Sequence, residues 1–141
     1  MSMIVAAVMF IPLLAVSIAH LVWSFGGSWP IRDKAMLPKV AFGIPGRTVP
    51  RFASFVVSVV VLGVGITGLA LADRTGGGVW LTLLGVVFGA VFIARGVLGY
   101  TKGWRAIFSD EPFATLDRRN YSPLCLILGA GFLLLVLMRL I

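Results

Sequence analysis

Two side chains in this sequence are of types that do chemistry and lie where apolar residues otherwise dominate. Arg95 sits inside the long apolar run 79–100, and His20, the single histidine, sits near the end of another. An arginine five or six residues from the end of a membrane helix can hold a phosphate or oxyanion. It can equally reach the head groups or pair with a loop acid, here Asp33, Asp110, Glu111 or Asp117. A histidine titrates near neutral pH and so can act as a general acid or base; the competing role is a hydrogen bond to a backbone carbonyl at the interface. Trp23, Trp29, Tyr100, Trp104 and Tyr121 fall at the same end of the molecule, where polar-tipped aromatics also belong as an interfacial belt. The candidate ligand-binding set is therefore His20, Trp23, Trp29, Arg95, Tyr100, Trp104 and Tyr121. No catalytic residue is assigned; were the protein an enzyme, His20 would be its acid or base, with Tyr100, Tyr121, Asp33 or Asp117 as the second proton-transfer group.

Much chemistry is excluded by what these residues lack. One histidine and one cysteine, Cys125, make a poor metal site, and a single histidine cannot give bis-histidine haem ligation. One thiol forms no internal disulfide or redox pair. Ser17 and Ser24 lie within about a turn of His20 on a helix but have no acid beside them, so no hydrolase triad forms. No apolar run contains Asp or Glu, which removes the carboxylate that a proton-coupled cation exporter needs and leaves an anion channel as the transport alternative. No cofactor is expected.

The elements that must position these residues are membrane helices. The chain has 141 residues, 60% of them hydrophobic and 12% charged, with a mean hydropathy of +1.07. Soluble domains average about 25% charged residues. Four runs, about 3–25, 51–72, 79–100 and 122–139, are each long enough to cross about 30 Å of hydrocarbon at about 1.5 Å per residue. The fold expected is an all-α, single-domain four-transmembrane-helix bundle over 1–141, with an amphipathic, Pro/Gly-rich first loop. The first run lacks a basic flank and exceeds a signal-peptide core in length, so it is read as a retained span.

Within the third run, Gly85, Gly89, Gly96, Gly99 and Gly103 fall within about 40° of one line down the helix, with Arg95 about 80° to its flank. Ser54, Ser58, Gly65, Gly68 and Ala72 make a similar line on the second. Small residues let membrane helices approach closely, so these lines are read as facing seams of a hairpin closed by the short turn 73–78. Gly26 and Gly27 end the first span, Thr48 is a candidate cap for the second, and Ser122 with Pro123 is read as the start of the fourth. The first loop carries Pro30, Pro38 and Pro45 among Met36, Leu37, Val40, Phe42 and Ile44, and is expected to lie on the membrane surface or to fold back over the bundle mouth.

The net charge is +7. Arg32, Lys34, Lys39, Arg47 and Arg51, with Lys102, Arg105, Arg118 and Arg119, belong to the two long loops; only Arg74 and Arg139 lie at the other end. The positive-inside rule places the long loops in the cytoplasm and both termini outside. No nucleic-acid-binding signature accompanies this charge; membrane lipids, and a membrane-protein partner, are the partners it suits.

The segment His20-x-x-Trp23-x-x-Gly26-Gly27-x-Trp29-Pro30, followed by Phe113-Ala114-x-Leu116-Asp117-Arg118-Arg119-x-Tyr121-Ser122-Pro123-Leu124-Cys125, resembles a family of small bacterial four-span membrane proteins known as a domain of unknown function. The resemblance covers nearly the whole chain and implies the four-span fold and a bacterial inner membrane, with no activity attached. The expected function is to bind an amphipathic or anionic lipid-like ligand at the cytoplasmic face, or to serve as an accessory subunit of a membrane complex. A membrane-embedded enzyme using His20 and a small transporter or anion channel are the alternatives.

Overall fold

A computed structural model describes residues 1–43 and 46–141; Ile44 and Pro45 of the first loop lie outside the described residues. Four helices are long and apolar enough to cross a membrane: α1 (Ser2–Ser24), α3 (Arg51–Asp73), α4 (Gly78–Leu98) and α7 (Ser122–Leu140). Three short helices, α2 (Leu37–Ala41), α5 (Lys102–Ile107) and α6 (Phe113–Leu116), belong to the long loops. No strand occurs among the described residues. Ile4, Val8, Ile11, Val59, Val60, Val87, Val91 and Leu137 are exposed, the outward apolar coat that a lipid-facing bundle requires.

The bundle is two antiparallel pairs, α1 with α3 and α4 with α7. Here the seams depart from the sequence expectation, because they do not face one another. The small residues of α3 receive α1: Ser17 Oγ donates to the Ser58 carbonyl at 2.9 Å, Ser2 Oγ donates to the Ala72 carbonyl at 3.1 Å, and Gly65 lies under Phe10. The glycines of α4 receive α7. A methyl on Gly89 would meet Leu133 Cδ2 at 2.8 Å, one on Gly96 would meet Leu126 at 2.6 Å, and one on Gly99 would run into Ser122 Oγ. The physical reason is that α7 also carries small residues. Gly129 of α7 lies against the Gly89 carbonyl, so glycine on both helices lets their backbones approach, while Ser58, Gly65 and Ala72 of α3 are occupied by α1.

The pairs meet through Phe132, which is fully buried and packs on Phe88, Phe92 and Gly68, and through Met9 against Gly131. Leu71, Leu135 and Val136 complete the core. The turn between α3 and α4 puts Arg74 and Gly77 in the left-handed region, at φ 64° and 81°, and Arg139 Nη2 donates to the Gly76 carbonyl.

At the other end the two long loops form a joint cap. Gly43, at φ +61°, lies flat on the Phe113 ring. Asp110 N donates to the Gly43 carbonyl at 3.4 Å, and Tyr121 Oη donates to the Val40 carbonyl at 3.4 Å. The amphipathic first loop is thus folded onto the bundle mouth, with Leu37 buried.

Candidate functional site

The fourth span has no capped start. Ser122 was expected as its N-cap; instead α6 runs through a π-helical turn, Asp117–Tyr121, straight into α7, and the Ser122 side chain is fully buried. Pro123 supplies the reason. It has no N–H to give to Arg119, and its ring crowds that carbonyl. The helix widens just ahead of it, so that Ser122 N donates to the Asp117 carbonyl five residues back. Asp117, read from the sequence as a loop acid, is thereby part of the helix that continues into the fourth span and is only 3% exposed.

Asp117 is the counterion of Arg95. Arg95 Nη2 donates to its Oδ1 at 2.5 Å, Trp104 Nε1 donates to its Oδ2 at 2.9 Å, and Ser122 Oγ stands 3.4 Å from Oδ1. Three elements therefore converge on one carboxylate: α4 gives the arginine, α5 the indole, and α7 the hydroxyl. The Arg95 guanidinium also lies over the Trp104 ring, 4.4 Å from its centroid, a cation–π contact that keeps the fork flat. Gly99 makes room, since a methyl there would sit 3.2 Å from Arg95 Nη1. That Nη1 is buried with no protein partner among the described residues. Of the four loop acids considered as partners for Arg95, the structure selects Asp117.

The other predicted site residues divide into two groups. His20 Nδ1 donates to the Val16 carbonyl at 3.0 Å and its ring tilts on Trp23 at 4.5 Å; Trp23 Nε1 donates to the Trp29 carbonyl at 2.7 Å. These three close the end of α1. Tyr100 Oη donates to the Arg118 carbonyl at 3.2 Å, tying the end of α4 to the π-helical turn, and Tyr121, the last residue of that turn, ties it to the first loop through the Val40 carbonyl. Among the described residues no hydrogen bond or ring contact joins His20 to Arg95.

An open groove of about 450 Å³ lies beside the ion pair, lined by Trp104 and Asp117 together with Lys102, Arg105, Ser109 and Glu111. A smaller depression of about 180 Å³ lies at the α1 end, bordered by Trp23, Lys34 and Arg51. The sequence signal for the larger groove was present but unassigned: Lys102 and Arg105 are one helical turn apart with Trp104 between them, an amphipathic pattern at an interface. Among the described residues no three His, Cys, Asp or Glu side chains come together as a metal site. The chemistry on offer is recognition of charge: the Asp117 oxygens are already engaged by three donors, whereas the two cations on the groove are exposed.

No curated protein and no solved structure matches the chain. One family model does match, over residues 13–132, a range that takes in both long loops, the His20–Pro30 and Phe113–Cys125 segments, and every member of the Arg95–Asp117 cluster. The chain is a multi-pass membrane protein and belongs to the family DUF3995, described as a protein of unknown function.

Proposed function

We propose that the protein binds the phosphate-bearing head of a lipid-like amphiphile in the groove between α5 and α6, with the acyl or isoprenoid chain lying along the bundle. The observation that carries this reading is the groove itself: Lys102 and Arg105 border it with no anionic partner among the described residues, over a floor that Arg95 and Asp117 hold rigid. Exposed cations beside an interfacial tryptophan suit a phosphate at head-group depth. Trp104 and Asp117 line the groove, and Arg95 stands behind them as their support. Tyr100 and Tyr121 hold the π-helical turn. His20, Trp23 and Trp29 belong with the smaller depression at the α1 end. With nine cations at this end against two at the other, we place the cap in the cytoplasm and both termini outside, in the inner membrane of a bacterium.

Each basic residue near an anionic surface contributes about 1 kcal/mol, so losing both should weaken binding by about 30-fold. The test is native mass spectrometry of gently solubilised protein, wild type beside the Lys102→Gln/Arg105→Gln double variant. Defined lipid-mass adducts on the wild type, strongly depleted in the variant, support the reading. Equal occupancy in both refutes it. A co-purifying membrane protein retained by both would favour the accessory-subunit role instead.

A further inference from the structure

The groove carries charge of both signs. Lys102 and Arg105 come from α5, and Glu111 comes from the segment entering α6; all three are exposed, border one space, and are in no ion pair among the described residues. The second carboxylate, Asp117, is a different object, because its charge is matched by Arg95 and its oxygens are engaged by Arg95, Trp104 and Ser122. Glu111 is only partly used. Its Oε2 accepts from Thr115 N at 3.2 Å and its Oε1 from Thr115 Oγ1 at 3.0 Å. An ionised carboxylate offers about four lone-pair sites, so acceptor capacity remains, and the Ser109 hydroxyl lines the same space.

A ligand carrying phosphate alone would satisfy the two cations and put its negative charge near that of Glu111. A ligand carrying a phosphate and a nearby ammonium satisfies all three. The type of ammonium is constrained as well. Quaternary ammonium groups are recognised by open aromatic faces, and the Trp104 ring has none to spare: Arg95 lies 4.4 Å from its centroid, and the Phe108 ring stacks on it at 4.2 Å. One ring face accommodates one such group, so both faces are taken. Phe108, the other aromatic ring on the groove, has one face on Trp104 and lies against Phe113 at 6.0 Å. What remains for the ammonium is hydrogen-bond acceptors, which only an N–H donor can use.

Resting on the head-group reading above, we propose that the groove recognises a phosphate ester bearing a primary ammonium, the phosphoethanolamine pattern, with phosphate on Lys102 and Arg105 and ammonium on Glu111 and Ser109. The same chemistry is carried by a phospholipid head group and by the free phosphomonoester. In a lipid the phosphate depth would match α5 at the interface; in solution the open groove would admit the small molecule directly.

The experiment separates these and separates this proposal from the reading beneath it. The protein is reconstituted in nanodiscs of phosphatidylglycerol with equal mole fractions of phosphatidylethanolamine and phosphatidylcholine, and the lipids it retains are identified by native mass spectrometry. Wild type should retain ethanolamine over choline lipid by about fivefold, the scale of one net hydrogen bond of about 1 kcal/mol, since both head groups carry the same charge. Glu111→Gln should lose that preference while retaining its total phospholipid. Lys102→Gln/Arg105→Gln should retain about 30-fold less phospholipid of either kind. Equal retention of the two lipids by wild type, or an unchanged preference in Glu111→Gln, overturns the dipolar proposal and leaves the head-group reading standing. Full lipid retention by the double variant overturns the head-group reading itself. Free phosphoethanolamine is then titrated onto delipidated protein. Binding that Glu111→Gln abolishes supports the proposal with a soluble source, and a lipid preference without such binding supports it with the bilayer as source.

Discussion

Substituting Asp117 by Asn should cost the bundle about 3 kcal/mol and loosen the end of the fourth span. The magnitude follows from the geometry. Removing one partner of a buried ion pair typically costs about 3–5 kcal/mol, because the remaining charge stays desolvated. The Arg95 side chain is 28% exposed and Asp117 only 4%, so some of the arginine's charge reaches solvent or head groups and the lower end of that range applies. Asparagine keeps one carbonyl oxygen for Arg95, but its amide then faces Trp104 Nε1, donor against donor, where the carboxylate accepted at 2.9 Å. For a chain of this length about 3 kcal/mol is worth roughly 6–12 °C in Tm. The assay is thermal unfolding in detergent, run as a double-mutant cycle with Arg95→Met and Asp117→Leu. Each single variant should fall by a similar amount, and the double should recover part of it, since no buried charge is then left unpaired, although Trp104 Nε1 and Ser122 Oγ lose their acceptor in both Asp117→Leu backgrounds. If Asp117→Asn melts within about 2 °C of wild type, or if the two losses simply add, Arg95 is solvated by head groups and the ion pair contributes little.

Three further outcomes follow from other contacts. Gly99→Ala should destabilise by about 1–3 kcal/mol, the usual range for overpacking, because the new methyl would overlap Ser122 Oγ and crowd Arg95 Nη1; Gly103→Ala, where nothing lies within 4 Å of the added carbon, is the matched control in the same melt. Gly43→Ala should release the cap, since it combines a left-handed backbone with a clash on the Phe113 ring; hydrogen exchange should rise at Val40–Gly43 and around Tyr121 with the membrane spans unchanged. In a Cys125→Ser background, cysteines placed at Lys34 and Arg105 should react with a membrane-impermeant maleimide only after the cells are opened, and one at Arg74 should react in intact cells. The reverse pattern would invert the topology.

The four spans were legible because the bilayer imposes one requirement, about 20 apolar residues, that each run meets on composition alone. The glycine lines were legible as seams for a similar reason: a missing Cβ is visible in sequence, and its only use in a straight helix is close approach. Their partners were not legible. Gly85 to Gly99 and Ser54 to Ala72 have the same spacing, so pairing them with each other is the economical reading, and the feature that points elsewhere is Gly129 on α7, an unremarked glycine in an apolar run that lies against the Gly89 carbonyl. The aromatic set was placed at the correct end of the bundle, but a helical wheel gives no lateral separation between spans, so the His20 group and the Arg95 group were read as one site.

Arg95 and Asp117 illustrate how far local rules carry and where they stop. Ser122-Pro123 obeys the pattern of a capped helix start, and read alone it severs Asp117 from the membrane span. The same proline, placed after a segment that is already helical, acts differently: it removes one backbone bond and forces a wider turn. That turn brings Asp117 and the Ser122 hydroxyl together beneath Arg95. Residues 113–116 are helical, with Phe113 buried under Gly43 of the other loop, roughly 70 residues away in sequence. If that contact holds the short helix in place, the ion pair is conditional on the cap. The coupling can be read directly: if Gly43→Ala undocks the cap, it should also lower the penalty of Asp117→Asn, because the carboxylate would already have lost part of its buried geometry. A cycle between these two positions that shows no coupling would mean that the π-helical turn stands without the first loop.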